Sequence, residues 1–314
     1  MNILVTGGAG FIGSHLIDQL LKDENVVYCV DNLITGSLKN IEHHKNNKNF
    51  KFINHDIVEP VPIGFLPKRI NQIYHLASPA DPLRYFKLAI QTMLTNSIGT
   101  YHVVELSNKH KARILFTSTS EIYGDPLEHP QKETYFGNVN PVGPRAVYDE
   151  AKRFAETMIE QYHREFNLDT RIIRIFNTYG PRMHEKEGRM VPNFIKRALK
   201  GEPIEIYGDG KNTRSLCFVS DLVEGLIYSM EKNGIAGEVI NLGNPDEYSV
   251  LDFAKIVIDA TSSRSEIKFL DAWKDDPRQR KPDITKAKRL LNWSPSTNLD
   301  EGLKQTLSFF QSSS

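Results

Sequence analysis

A chain of 314 residues exceeds one ordinary domain, and 39% hydrophobic with 25% charged residues is the balance of a globular protein with a substantial core, which excludes disorder over most of its length. Lys plus Arg equals Asp plus Glu at 39 each, so no global field draws the molecule to nucleic acid or to an anionic membrane, and an anionic ligand has to be held by local Arg and backbone dipoles. The MNILVTGG start lacks the segments of a secretory signal and no stretch reaches a membrane span, so a soluble, cytoplasmic protein is expected.

In chain order, NILVTG, VVYCVD, FKFIN, QIYHLAS, RILFTSTS and TRIIRIFN read as strands. Helical patterns separate them, among them SHLIDQLLKD, a long one from about Ala89 to His110, and one running from Tyr148 through MIEQYHREF. Strands alternating with helices predict an α/β fold, a Rossmann-like doubly wound parallel sheet with helices on both faces. The two cysteines, Cys29 and Cys217, sit in apolar runs and read as buried small hydrophobes in a reducing compartment, neither a bridge nor a metal site. After residue 176 the pattern loosens into TYGPRMHEKEGRMVP, rich in Gly, Pro and charge. The expected division is a dinucleotide-binding domain over 1–176 and a smaller substrate lobe over 177–314, with a helix and strand at about 219–243 rejoining the first domain.

ILVTGGAGFIGSHL places Gly7, Gly10 and Gly13 between an apolar strand and an apolar helix. Gly7 permits the tight turn, Gly10 lets backbone approach a pyrophosphate at the positive helix end, and Gly13 allows close helix-to-strand packing. The second strand ends in Asp31, eighteen residues after Gly13, where a carboxylate accepts from the adenine ribose and repels a 2′-phosphate, favouring NAD over NADP. Asn32, Thr35 and Gly36 form a polar turn near the adenosine. Asp56 ends the next strand, where it either meets the adenine amino group or caps the following element.

Tyr148 and Lys152 lie four residues apart in YDEAK, on one face of a helix. A nearby ammonium is expected to lower the phenol pKa and make Tyr148 a base for a hydroxyl proton as hydride leaves carbon, with Lys152 also holding the nicotinamide ribose. The strand end FTSTSEIYGD brings Thr119, Ser120 and Glu121 to the ligand crevice. Thr119 or Ser120 is placed to hydrogen-bond the reacting hydroxyl; Glu121 is either a general acid or base, or a turn carboxylate. Arg214, Arg278 and Arg280 are candidate clamps, because a planar fork pairs two oxygens of a phosphate or carboxylate.

With TSTSEIYGDP, YFGNVNPVGPRAVYDEAK, RIFNTYGPRM, EGRMVPNFI, IYGDGKNTRS, FVSDLVEGL and DDPRQRKPDITKAK in view, the chain resembles the UDP-glucuronate decarboxylases (UDP-xylose synthases), extended short-chain dehydrogenase/reductases, over nearly its whole length. That resemblance implies NAD, a UDP-sugar and a closed redox cycle. Tyr148 removes the carbon-4 hydroxyl proton, a 4-keto uronic acid loses carbon dioxide, and returned hydride gives UDP-xylose. It implies that Glu121 and Arg280 handle the carboxylate and the carbon-5 proton, with Thr119 and Ser120 beside them. Cofactor contacts carried over are Phe11, Ile12, Ile57, Leu76, Ala77, Ser78 and Thr95, with Thr178, His184 and Arg189 in a loop over cofactor and sugar. Substrate contacts carried over are Pro79, Asn177, Val191 and Tyr207, with Arg214 and Arg280 ranked above Arg278. A homodimer through the helices beginning near Ala89 and Tyr148 is also implied.

Two residues depart from the family pattern: Asp81 stands where serine is typical and Leu94 where lysine is usual, so an anionic sugar is held less well if both face it. The loop VPIGFLPKRINQ is longer than the family's, which bears on lid or interface geometry. The competing readings are a nucleotide-sugar 4-epimerase, including one acting on UDP-glucuronate, or a 4,6-dehydratase, against which TSE rather than TDE argues. A non-catalytic NAD-binding regulatory protein is the remote one, since such proteins usually lose the Tyr or Lys.

Overall fold

The computed structural model describes residues 1–184, 187–273 and 275–313. Each apolar, β-branched run of the first half is a strand: β1 (Asn2–Thr6), β2 (Val26–Asp31), β3 (Phe50–Asn54), β4 (Gln72–His75), β5 (Arg113–Thr119) and β6 (Thr170–Ile175). They form one sheet in the order β3, β2, β1, β4, β5, β6, and a seventh strand, Glu238–Leu242, lies outermost beside β6. Every neighbouring pair is parallel.

Alternation along the strands covers both faces. Ile3 and Val5 join one hydrophobic cluster and Leu4 the other; Leu115 points to the first, Ile114 and Phe116 to the second. The chain runs outward from β1 to β3 and then crosses to β4, so the order reverses between β1 and β4. A doubly wound sheet opens its ligand crevice at such a point, beyond the carboxyl ends of the strands.

The helix expected from Ala89 to His110 is not uniform. Ala89–Leu94 passes through a π-helical turn, Thr95–Gly99, into Thr100–His110. Gly99 lies so close to Ile57 that a Cβ there would stand 2.9 Å from the Ile57 side chain, and Thr95 at the start of the wide turn is buried at the crevice. The helix Ala146–Phe166 packs against both flanking segments.

Beyond Asn177 the chain builds short ribbons. Thr178–Tyr179 pairs with Cys217–Phe218, Thr213–Ser215 with Glu247–Ser249, and Ile204–Tyr207 with Ile267–Leu270. Helices Met190–Lys200 and Val250–Thr261 bury Phe194, Ile195, Phe253 and Val257 between them. Among the described residues no helix is long and apolar enough to cross a membrane. Cys29 and Cys217 are both buried and free.

Candidate active site

At the carboxyl ends of the strands lies a cavity of about 830 Å³ that runs from the β1 glycine loop to the ribbons of the second half. Its first half is backbone work. Gly7 has φ +72°, donates its N–H to Val30 O at 2.8 Å, and sits so near β4 that a Cβ would stand 2.7 Å from Ala77 N. A Cβ on Gly13 would collide with the Gly7 carbonyl, whereas one on Gly10 would meet only Gly7 O, at 3.1 Å. Thus Gly10 presents bare backbone to the cavity at the start of the helix Phe11–Leu20, a fit to a dinucleotide pyrophosphate.

Asp31 is buried, accepting from Ala9 N at 3.0 Å and Leu33 N at 2.8 Å. Burial raises its pKa and those two N–H groups oppose the rise. Asp56 combines its two expected settings: Oδ1 accepts from Val58 N at 3.0 Å as a cap, while Oδ2 accepts from Asn32 and Gln91 at the cavity wall. Phe11, Ile12, Thr35, Gly36, Ile57, Leu76, Ala77, Ser78 and Thr95 line this same half.

Tyr148 and Lys152 lie side by side on the Ala146–Phe166 helix, both buried and both on the cavity. Lys152 Nζ donates to Thr117 O at 2.8 Å and lies 4.7 Å from the Phe116 ring centroid and 5.9 Å from that of Tyr148. Burial lowers the Lys152 pKa to about 7. The expected lowering of the Tyr148 pKa is not what the site shows. Burial, followed by the Glu121 charge, pushes it up, and the hydrogen bond with Thr119 pulls only partly the other way. Tyr85, which the sequence did not single out, stacks on Tyr148 with centroids 5.1 Å apart and planes 2° from parallel.

The other half of the cavity is built from charge. Glu121 Oε2 accepts from Arg145 Nη2 at 2.5 Å and its Oε1 from Arg280 Nη1 at 2.9 Å. Burial alone would raise the Glu121 pKa, but the two guanidiniums outweigh it and hold it at about 2. The Glu121 carboxylate is thus held ionised between two guanidiniums, and the short helical turn that contains it, Ser120–Tyr123, is capped by Thr119. Arg280 also donates to Asn177 Oδ1 at 3.3 Å, and Arg214 donates to Asp276 Oδ2 at 2.9 Å.

Arg145 and Asp276 were missed. Arg145 lies three residues before Tyr148, one helical turn earlier on the same face, a spacing that was there to be read. Asp276 carries no local signal, since its partners lie far away in the chain. Ser120, Pro79, Val191 and Tyr207 line the cavity, and so do Thr178, His184 and Arg189, the last in a two-point pair with Glu187. Arg278 does not; it is exposed and paired with Asp125 at 3.0 Å.

The two departures also separate. Asp81 is buried in the cavity wall, caps Pro82–Lys87 and accepts from Gly188 N at 2.9 Å through Oδ1, while Oδ2 has no hydrogen bond among the described residues and lies 3.6 Å from Arg84 Nε. Leu94 does not line the cavity. The long 61–72 loop starts β4 and bonds Asn2 O through Asn71 N, at the amino ends of the strands, so it is no lid over this cavity. Outside the cavity, Asp18 Oδ1 lies 2.7 Å from Nε2 of both His43 and His44, but Arg182 holds its other oxygen at 2.6 Å and opposes a cation there.

The sequence model of the GDP-mannose 4,6 dehydratase family matches residues 4–306. UDP-glucuronic acid decarboxylase 1 of Xenopus tropicalis is 51% identical over 98% of this chain and 72% of its own length. UDP-glucuronic acid decarboxylase 4 of Arabidopsis thaliana is 52% identical over 96% and 67%. Among solved structures, UDP-glucuronic acid 4-epimerase from Bacillus cereus, in complex with UDP-glucuronic acid and NAD, superimposes with a TM-score of 0.91 at 31% identity, covering 100% of each chain.

Proposed function

This chain belongs to the UDP-glucuronate decarboxylase family of extended short-chain dehydrogenase/reductases, and from that premise we propose that it converts UDP-glucuronate to UDP-xylose and carbon dioxide with NAD. The observation that carries the reading is the meeting, in one cavity, of the Tyr148 phenol with the Glu121–Arg280 ion pair, at the end of a crevice that opens with the glycine loop.

Tyr148 accepts the carbon-4 hydroxyl proton as its phenolate, with Thr119 bonded to it; burial opposes that form, and the positive charges of Lys152 beside it and of bound NAD would favour it. NAD, when bound, supplies the acceptor for the carbon-4 hydride and gives it back. The resulting ketone lies β to the carboxylate, so the electron pair of the breaking carbon–carbon bond is taken up as an enolate and carbon dioxide leaves. Carbon 5 then takes a proton drawn from solvent, the one proton the overall reaction consumes, and the proton held on Tyr148 returns to the carbon-4 oxygen as the hydroxyl is restored. Arg280 suits the carboxylate: its Nε and Nη2, like Arg145 Nε, are buried without an acceptor among the described residues, which an incoming carboxylate supplies. Glu121 keeps both guanidiniums in place.

The same proposal includes the cofactor, substrate and catalytic roles of the cavity residues and a division into 1–176 and 177–314, with 219–243 returning to the first domain. Homodimerisation is proposed through the long helices, where Ile90, Met93, Ile98, Tyr101 and Phe154 are exposed apolar side chains. A reducing, cytoplasmic location suits two free buried thiols.

The test is product identification after incubation with UDP-glucuronate and catalytic NAD. UDP-xylose and carbon dioxide are expected; UDP-galacturonate retaining carbon 6 overturns the decarboxylase in favour of 4-epimerisation, which needs the same Tyr, Lys and NAD.

A further inference from the structure

Three guanidiniums and two carboxylates alternate along the sugar half of the cavity: Arg214, Asp276, Arg145, Glu121, Arg280. They are not equivalent. Arg280 and Arg145 keep buried N–H groups without acceptors among the described residues, so an anion paired with them breaks no existing hydrogen bond of those groups. Arg214 is different, because each of its terminal nitrogens already donates to the protein and one of them to an anion, beside which a second anion is repelled. Nη1 donates to Thr213 O at 2.8 Å and Nη2 to Asp276 Oδ2 at 2.9 Å. Thr213 O is backbone in a strand paired with Glu247–Ser249 and does not move away. Asp276 is a side chain outside any helix or strand, 31% exposed where Arg214 is 9% exposed. Its remaining contacts are weak, 3.3 Å from Asn212 Nδ2 and 3.6 Å from Arg145 Nη1. Of the two acceptors on Arg214, Asp276 is the one that can yield.

We propose that Asp276 is a built-in competitor of the substrate diphosphate for Arg214, so that nucleotide-sugar binding exchanges a carboxylate for a phosphate oxygen and Asp276 sets the affinity of the site. This rests on the reading of Arg214 as a diphosphate ligand. The exchange leaves the planar fork with an anion throughout, which a buried guanidinium requires. It also lowers net affinity, since the incoming phosphate has to replace an ion pair rather than meet an unpaired cation. The Asp276 side chain contacts Arg214, Asn212 and Arg145, not Tyr148 or Lys152, so its effect falls on binding and not on the chemical step.

The experiment is calorimetric titration of UDP into NAD-loaded enzyme. Asp276→Asn keeps the size and the acceptor oxygen while removing the charge, and it is expected to bind UDP about fivefold more tightly, the scale of a partly exposed ion pair. KM for UDP-glucuronate falls in parallel and kcat does not rise. Asp276→Glu, which keeps the competitor, shows no such gain, and in an Arg214→Ala background the gain from Asp276→Asn disappears. Unchanged or weaker UDP binding by Asp276→Asn overturns the exchange and makes Asp276 a support for Arg214. If Arg214→Ala leaves UDP binding intact, Arg214 is not the diphosphate ligand and the underlying reading of that residue fails with it, whereas weaker UDP binding by Arg214→Ala without a gain in Asp276→Asn sinks the exchange alone.

Discussion

The two halves of the cavity are made by different means. The dinucleotide half is formed by residues close in sequence, glycines and strand ends whose backbone does the shaping: Gly7 at φ +72°, Gly13 against the Gly7 carbonyl, Asp31 held by two backbone N–H groups. The sugar half is formed by side chains from four separate stretches, joined as Arg214–Asp276, Arg145–Glu121 and Glu121–Arg280. Backbone geometry tolerates the loss of one side chain. A chain of buried ions does not, because each partner removed leaves another charge uncompensated.

The largest effect that sharpens this contrast comes where the halves meet. Tyr148→Phe should lower kcat by about 10²–10⁴-fold, the range for loss of a positioned acid–base group, while NAD affinity measured by fluorescence titration stays near that of the unaltered enzyme. Near-normal turnover would reject the proposed base.

Next comes the ionic half itself. Glu121→Gln should cost about 3 kcal/mol in urea denaturation at pH 7, since Arg145 and Arg280 then lack their counter-ion. The pH dependence has a definite sign. The folded-state pKa of Glu121 is about 2 against an ordinary 4.5, so its stabilisation is complete above 4.5 and is lost as pH falls toward 2. The Gln variant should lack that component of acid destabilisation, and identical acid profiles would show that the pair contributes nothing.

A smaller effect attaches to Lys152, at about 7 in the fold and ordinarily 10.5. Between those values the unfolded chain binds a proton that the folded one does not, so this residue makes stability rise with pH across that window. Lys152→Met should flatten the rise between pH 7 and 9. The smallest is Asp81→Ser: serine keeps the helix cap at Leu83 but is too short for Gly188 N, which should cost about 1–2 kcal/mol in thermal or urea unfolding. A larger gain in UDP-glucuronate affinity than loss in stability would instead place the Asp81 charge against the substrate.

What the sequence disclosed follows the same division. The strands β1 to β6, the glycine loop and Asp31 were legible, because their signals are periodicity and spacing within about thirty residues. Tyr148 and Lys152 were legible as one helical face, but their protonation was not. The expected lowering of the phenol pKa neglected burial, which a spacing rule does not contain. Glu121 was found as a residue, but its ionisation was not legible, because Arg145 and Arg280, which fix it, lie 24 and 159 positions away in the chain. Asp81 was noticed as an extra charge, yet its engagement with Gly188 depends on a loop more than a hundred residues distant. The π-helical turn at Thr95–Gly99 was likewise invisible, being set by the approach of Gly99 to Ile57.

The central claim is an oxidation at carbon 4 whose hydride returns to the same sugar after carbon dioxide has gone. Conversion of UDP-glucuronate carrying deuterium at carbon 4 and ¹³C at carbon 6, with catalytic NAD, tests it directly. UDP-xylose with the deuterium still on carbon 4, and all the ¹³C in carbon dioxide, is the predicted result; ¹³C retained in the nucleotide sugar, or deuterium lost from it, would contradict the account.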